Sequence, residues 1–139
     1  MKRLLFIAVL MAIPAIGQAE QYSISGSVLV KEEGVLYIYL VDDEQFSIPL
    51  TGIMEVRKNL KEKREQRIQF SFSGVPEGKY GIRVYVDTNG NGKLDRGLFG
   101  PSEPWGMSWQ DKPKRGIPHF QDIAFYVERD IENILIDTR

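Results

Sequence analysis

The chain has 139 residues, a formal net charge of −1 and no cysteine. That length suits one domain, and the missing cysteine excludes disulfides and a lipid-modified cysteine at a processed N-terminus. A mildly acidic balance gives no long-range attraction for phosphate backbones, so nucleic acid is not an expected partner.

Met1-Lys2-Arg3 is a short basic head. Leu4 to Ile16 is an apolar run too short to span a bilayer comfortably, and Gly17-Gln18-Ala19 places small residues at the two positions a signal peptidase reads. This layout predicts a secretory signal peptide over residues 1–19, cleaved after Ala19. An uncut membrane anchor is the rival reading, and the shortness of the apolar run opposes it. Residues 20–139 then form a single domain, periplasmic or secreted. It is long enough to bury a core without covalent staples, and no second segment in it is apolar enough for a transmembrane helix.

In the mature chain Tyr22, Ile24, Gly26, Val28 and Val30 alternate with Ser23, Ser25, Ser27 and Leu29, the period of a half-buried strand. Lys31-Glu32-Glu33-Gly34 is a polar turn. Val35 to Val41 is apolar or aromatic throughout and favours strand, so the two runs are expected to form a hairpin. Pro49 and Gly52 limit Asp42 to Thr51 to loop or edge structure. Glu55 to Arg67 is the most charged stretch. It reads as a short helix or a long hairpin tip. Its interleaved acids and lack of aromatics favour a solvated loop over a basic binding patch.

Ile68, Phe70 and Phe72 give another half-buried strand, Pro76-Glu77-Gly78 a tight turn, and Tyr80, Ile82, Val84 and Val86 the next strand. Ile123 to Val127 and Ile131 to Ile136 read as two more. About seven short strands and no convincing amphipathic helix argue for an all-β sandwich. Between them, Asp87 to about Ile117 is rich in Gly, Pro and Asn and has no period. A loop of that length inside a compact domain is usually functional or disordered.

The loop opens with Asp87-Thr88-Asn89-Gly90-Asn91-Gly92-Lys93-Leu94-Asp95. Side-chain oxygens fall at positions one, three, five and nine, and Gly92 falls at position six, where a sharp turn needs glycine. Lys93 at position seven would offer its backbone carbonyl. This is the first part of an EF-hand calcium loop, in which a chain coiling around a hard cation presents every second side chain. Position twelve is Leu98 instead of a bidentate Glu, and the flanks read as strand and Gly/Pro-rich loop rather than helices. The missing carboxylate is expected from Glu103 or Asp111. Two acids within the motif predict weak calcium binding, on the order of 10⁻⁴ to 10⁻³ M. A plain turn built on Asn-Gly is the alternative.

Pro76-Glu77-Gly78-Lys79-Tyr80, the Asp87–Asp95 motif, Gly100-Pro101, Glu103-Pro104, Trp105-Gly106-Met107-Ser108 and Pro118-His119-Phe120-Gln121-Asp122-Ile123-Ala124-Phe125 follow one another in order. In this the chain resembles the bacterial exported proteins grouped as domain of unknown function family 2141. The strand Val35–Val41 stands where that family has its early apolar strand. The resemblance covers most of the mature chain. It implies an exported β-sandwich, immunoglobulin-like or transthyretin-like, and implies no activity.

Trp105, Met107 and Trp109 lie close together in the long loop. They suggest an aromatic platform for a glycan, a peptide or an envelope protein, or else a lid packed over one end of the sandwich. His119 is the only histidine and Asp122 could orient it, but no second histidine or cysteine is available as a partner. Ser108 lacks a nucleophile elbow. The expectation is therefore a non-enzymatic, exported, calcium-binding β-sandwich, with calcium held by Asp87, Asn89, Asn91, Lys93 and Asp95, and with Trp105 and Trp109 as candidate ligand contacts. A purely structural calcium-stapled domain and a metal-dependent hydrolase are the alternatives.

Overall fold

The structure, a computed structural model, describes residues 17–110, 112 and 116–138. Most of the export segment expected over residues 1–19, and Asp111, lie outside the described residues. The chain is predominantly β, as its alternation predicts. Its elements are β1 (Gln21–Val30), β2 (Gly34–Val41), α1 (Asp43–Phe46), β3 (Met54–Leu60), β4 (Gln66–Pro76), β5 (Gly78–Asp87), β6 (Arg96–Gly97), β7 (Gly100–Pro101), β8 (Trp105–Met107), α2 (Phe120–Ile123), β9 (Phe125–Val127) and β10 (Ile131–Asp137). No helix among the described residues is long and apolar enough to cross a membrane.

One sheet has the order β10-β1-β4, with β10 parallel and β4 antiparallel to β1. A larger one has the order β3-β2-β5-β8, with β9 also pairing with β5, and β6 and β7 form a small two-stranded ribbon. Ile24 and Val28 from β1, Phe70 and Phe72 from β4, Leu36, Ile38 and Leu40 from β2, and Ile82, Val84 and Val86 from β5 share one apolar core, so the two sheets bury their faces together. At about 25 cal/mol per Å² of apolar surface, this burial is the main force holding the sheets.

The uninterrupted apolar run of β2 has a simple cause: the strand is central and both its faces are covered. Leu36, Ile38 and Leu40 point into the shared core. Tyr37, Tyr39 and Val41 point the other way into a second cluster with Tyr85, Phe120 and Ile123, which Trp105, Met107, Trp109 and Leu94 cover. Tyr37 lies directly across from Tyr85, their rings stacked with centroids 4.8 Å apart.

Three expectations are corrected. β1 and β2 do not form a hairpin: β1 pairs with β4 and β10, and β2 with β3 and β5, so residues 31–33 carry the chain from one sheet to the other. Glu55 to Arg67 is neither helix nor hairpin tip, and only its middle, residues 61–65, is a solvated loop. Its first part is the edge strand β3 and its end begins β4 in the opposite sheet. An edge strand exposed on one face tolerates this charge density, and charge there also discourages pairing with another chain. Finally, Ile123 closes the single-turn helix α2 instead of opening a strand, and the long loop contributes three short strands, β6, β7 and β8, of which β8 joins the larger sheet.

At the end of the central pair, Gly34 has φ 138° and lies against Asp87. A Cβ there would meet the Asp87 carbonyl oxygen at 2.3 Å. Glycine thus permits the close backbone approach that delivers Asp87 to the end of the sheet.

Candidate metal-binding loop and aromatic groove

β5 ends at Asp87, which is 1 % exposed. Its two carboxylate oxygens accept from the backbone amides of Gly90 (2.8 Å) and Gly92 (2.7 Å). Gly90 and Gly92 both take positive φ, 74° and 72°, which curls the chain back over the carboxylate. The coil continues by the same device: Asn89 Oδ1 accepts from the Asn91 amide at 3.1 Å, and Asn91 Oδ1 from the Lys93 amide at 2.9 Å. These are the local side-chain-to-backbone bonds that Asx residues favour in turns.

Asp95 closes the ring. Its carboxylate accepts from Asn89 Nδ2 at 2.5 Å and from Asn91 Nδ2 at 3.0 and 3.1 Å. Glu103, 5 % exposed, seals the base: Oε1 accepts from the Thr88 amide at 2.9 Å and Oε2 from the Asp95 amide at 3.1 Å. Strand register explains its arrival. Trp105 pairs with Tyr85 and the Pro104 carbonyl accepts from Val86 N at 2.9 Å, so the residue before Pro104 falls beside Thr88.

The loop thus gathers Asp87, Asn89, Asn91, Asp95 and Glu103. Lys93 lies on the same coil. Among the described residues no lysine or arginine reaches ion-pair distance of these carboxylates. Buried carboxylates are normally paired with a cation or coordinate a metal, and here amides and the Thr88 hydroxyl are the donors they meet. The oxygen-only donor set suits a hard cation. The side chains do not form a ready cage: no group of three or more His, Cys, Asp or Glu among the described residues is disposed as one.

Trp105 and Trp109 meet edge to face, with centroids 6.1 Å apart and planes at 66°. They lie over the outer face of the larger sheet, above Tyr37, Tyr39 and Tyr85, and not over one end of the domain. Beside them a cavity of about 310 Å³, bordered by Tyr39, Leu50, Arg83, Tyr85, Trp105 and Met107, adjoins an open groove of about 640 Å³ that reaches Trp109 and the exposed tip at Phe99. Arg83, Tyr39 and Tyr85 escaped the sequence reading. The one available signal was Arg83 itself, a charge inside the otherwise apolar strand Tyr80–Val86.

Arg83 Nη1 donates to the Phe46 carbonyl at 3.2 Å. Nη2 donates to those of Gln45 at 3.3 Å, Thr51 at 2.6 Å and Ile48. Burial pushes its pKa down, with the Tyr39 phenol acting in the opposite sense. Burial also raises the Tyr85 phenol above its ordinary range, with the Tyr39 and Tyr37 phenols adding to the effect.

Ser108 and His119 have other work. The Ser108 hydroxyl accepts from Ile82 N at 2.8 Å and donates to the Ile123 carbonyl at 2.9 Å. It joins β5 to the chain at the gap between β8 and β9. The His119 side chain is 84 % exposed, while its backbone amide donates to Asp122 Oδ2 at 2.7 Å, which starts α2.

Fold and site together define a small β-rich domain with an oxygen-lined loop at one sheet end and an aromatic groove on the adjoining face. The family model described as "Uncharacterized protein conserved in bacteria (DUF2141)" matches residues 27–134, and the chain belongs to that family. The resemblance read from the Asp87 and Pro118 motifs is thereby borne out. No curated protein and no solved structure matches the chain.

Proposed function

We propose that this protein is an exported, non-enzymatic β-sandwich domain of the immunoglobulin-like or transthyretin-like sort, whose Asp87–Asp95 loop binds calcium. It acts as a binding module in the periplasm or outside the cell, after cleavage near Ala19. Asp87, Asn89, Asn91, Asp95 and Glu103 supply side-chain oxygens and Lys93 its carbonyl. The cation takes over the neutralising role that the Asn89 and Asn91 amide groups play toward Asp95. In this reading calcium stiffens the loop, and with it Glu103 and the strand that carries Trp105. Trp105 and Trp109 then meet a glycan, a peptide or an envelope protein.

The observation that carries the metal reading is the convergence of Glu103 on a loop whose other oxygens already follow the calcium spacing. Two buried carboxylates without a cationic partner favour a divalent ion. The test is a thermal melt in EDTA and then in calcium raised to tens of millimolar, beside an Asp87→Ala, Asp95→Ala double variant. At a hundred times the dissociation constant, linkage adds about 2.7 kcal/mol, a shift of several degrees. A shift that the double variant loses supports the site. An equal melting temperature in EDTA and in calcium at every concentration reduces the loop to a turn.

A further inference from the structure

On the outer face of the larger sheet, Arg83 is a cation without an anionic partner among the described residues. Arg83 is half-buried, and its Nη groups face only neutral carbonyls of the 45–51 segment. Among the described residues no carboxylate reaches ion-pair distance of it. Its Nε is buried without a hydrogen-bond partner, and so is the hydroxyl of Tyr85, a residue 3 % exposed. The Tyr39 phenol lies close enough to the Tyr85 hydroxyl to act on it as a polar neighbour as well as by charge, but not in the geometry of a regular hydrogen bond. These two are the only buried, unpartnered side-chain polar atoms among the described residues, and both belong to residues bordering the 310 Å³ cavity. Buried donors without acceptors are costly and uncommon, so their coincidence at one cavity is informative.

The charged side chains described in the lining are cationic, while Glu55 and Asp87 act on Tyr39 and Tyr85 from beyond it. Lys93 and Arg96 border the cavity, Lys112 borders the adjoining groove, and among the described residues no aspartate or glutamate lines either. This is a local excess of positive charge in a chain of net charge −1. Apart from Ser47 and Arg83, the remaining walls are apolar or aromatic. The volume lies at the small end of the range for organic ligands.

Resting on the reading of the Trp105–Trp109 face as a binding site, we infer that its ligand is a small organic carboxylate with an apolar body. The carboxylate pairs with Arg83 and the Tyr85 hydroxyl, and the body lies against Trp105 and Met107. A carboxylate forms charge-assisted bonds, roughly twice as strong as those Arg83 makes to neutral carbonyls, and it supplies the missing counter-charge. Both unpartnered atoms are closed to solvent, so the anion reaches them by displacing the Pro49–Leu50 turn. That turn borders the cavity and holds Leu50 at φ 56°, a left-handed conformation unfavourable to a bulky residue. Lys93 and Arg96 draw the anion to the mouth.

Both tryptophans of the chain lie at the groove, so intrinsic fluorescence reads it directly. The full chain is titrated with phenylacetate and octanoate, with 2-phenylethanol as the uncharged counterpart. The expected result is a saturable emission change with the carboxylates and at least a tenfold weaker response to the alcohol. Arg83→Met should abolish it. Because Arg83 also anchors the 45–51 segment, Tyr85→Phe and Arg96→Gln are measured beside it. Each should weaken carboxylate binding several-fold while the melting temperature holds or rises. Equal responses to acid and alcohol, or full affinity in both Tyr85→Phe and Arg96→Gln, overturn the inference. A response to maltohexaose but to neither carboxylate keeps the face as a binding site and overturns the anion. Silence to all four probes overturns both.

Discussion

The two faces of the larger sheet are built from alternate residues of the same strands, yet they do different work. The inner face, with Leu36, Ile38 and Leu40 of β2 and Ile82, Val84 and Val86 of β5, is wholly apolar and closes against the other sheet. The outer face carries Tyr37, Tyr39, Arg83 and Tyr85, covered by one-turn helices and a long loop. A face closed by a second sheet needs only shape and apolarity. A face closed by loops can retain polar atoms, an unbalanced charge and a cavity, because its cover can move and its stability is not the whole domain's. Strand alternation thus separates holding the fold from meeting a partner.

Substitutions can break or sharpen that comparison. The largest loss is expected on the inner face: Ile38→Ala, at a fully buried site, should cost about 2–5 kcal/mol in denaturant unfolding. A loss well under 1 kcal/mol would mean that the two sheets do not depend on this layer. At the junction of sheet and loop, Asp87→Ala frees the Gly90 and Gly92 amides and should cost about 1–3 kcal/mol even without calcium. The same melts would show whether the loop is ordered before any metal arrives.

The outer face should announce itself at high pH. Burial raises the phenols of Tyr39 and Tyr85 in the folded state. A raised folded pKa means the native state keeps its proton longer than the unfolded chain does. The stability these groups contribute is therefore complete below the ordinary tyrosine value of 10.0 and is lost as pH climbs above it. Phenolate absorbance should accordingly lag in the native protein and rise steeply with alkaline unfolding. Simple titration of every tyrosine at its ordinary pKa, with the fold intact, would show the outer face to be open to water. The smallest effect is expected for Tyr85→Phe. Removing a buried hydroxyl without a partner should leave stability unchanged or raise it by about 1 kcal/mol, and a loss of that size would reveal a partner for it.

The loop was legible in the sequence to a degree that the groove was not. Asp87, Asn89, Asn91 and Asp95 are close in the chain, and their spacing carries the coil that the structure displays in hydrogen bonds. Glu103 could be named only as one of two distant acids, because its place depends on the pairing of β8 with β5. Arg83, Tyr39 and Tyr85 meet on one face through the β2–β5 register and are covered by residues tens of positions away. No local pattern encodes that meeting. The expected β1–β2 hairpin failed for the same reason: a short polar turn between two strands does not say whether they pair or part to opposite sheets.

Local chemistry therefore settled what depends on neighbours in the chain. The alternation of Tyr22 to Val30 and of Ile68 to Phe72 made these segments strands, the two-sided apolarity of Val35 to Val41 made β2 a central one, and oxygen spacing shaped the Asp87 coil. Tertiary structure alone decided which strands share a sheet, that Glu103 seals the loop, and that Arg83 lies under a tryptophan-edged groove, bonded to neutral carbonyls. The physical reason is that a strand leaves its backbone donors and acceptors to be satisfied by another segment. The choice of that segment is made by the burial of whole faces, which no short stretch of sequence contains.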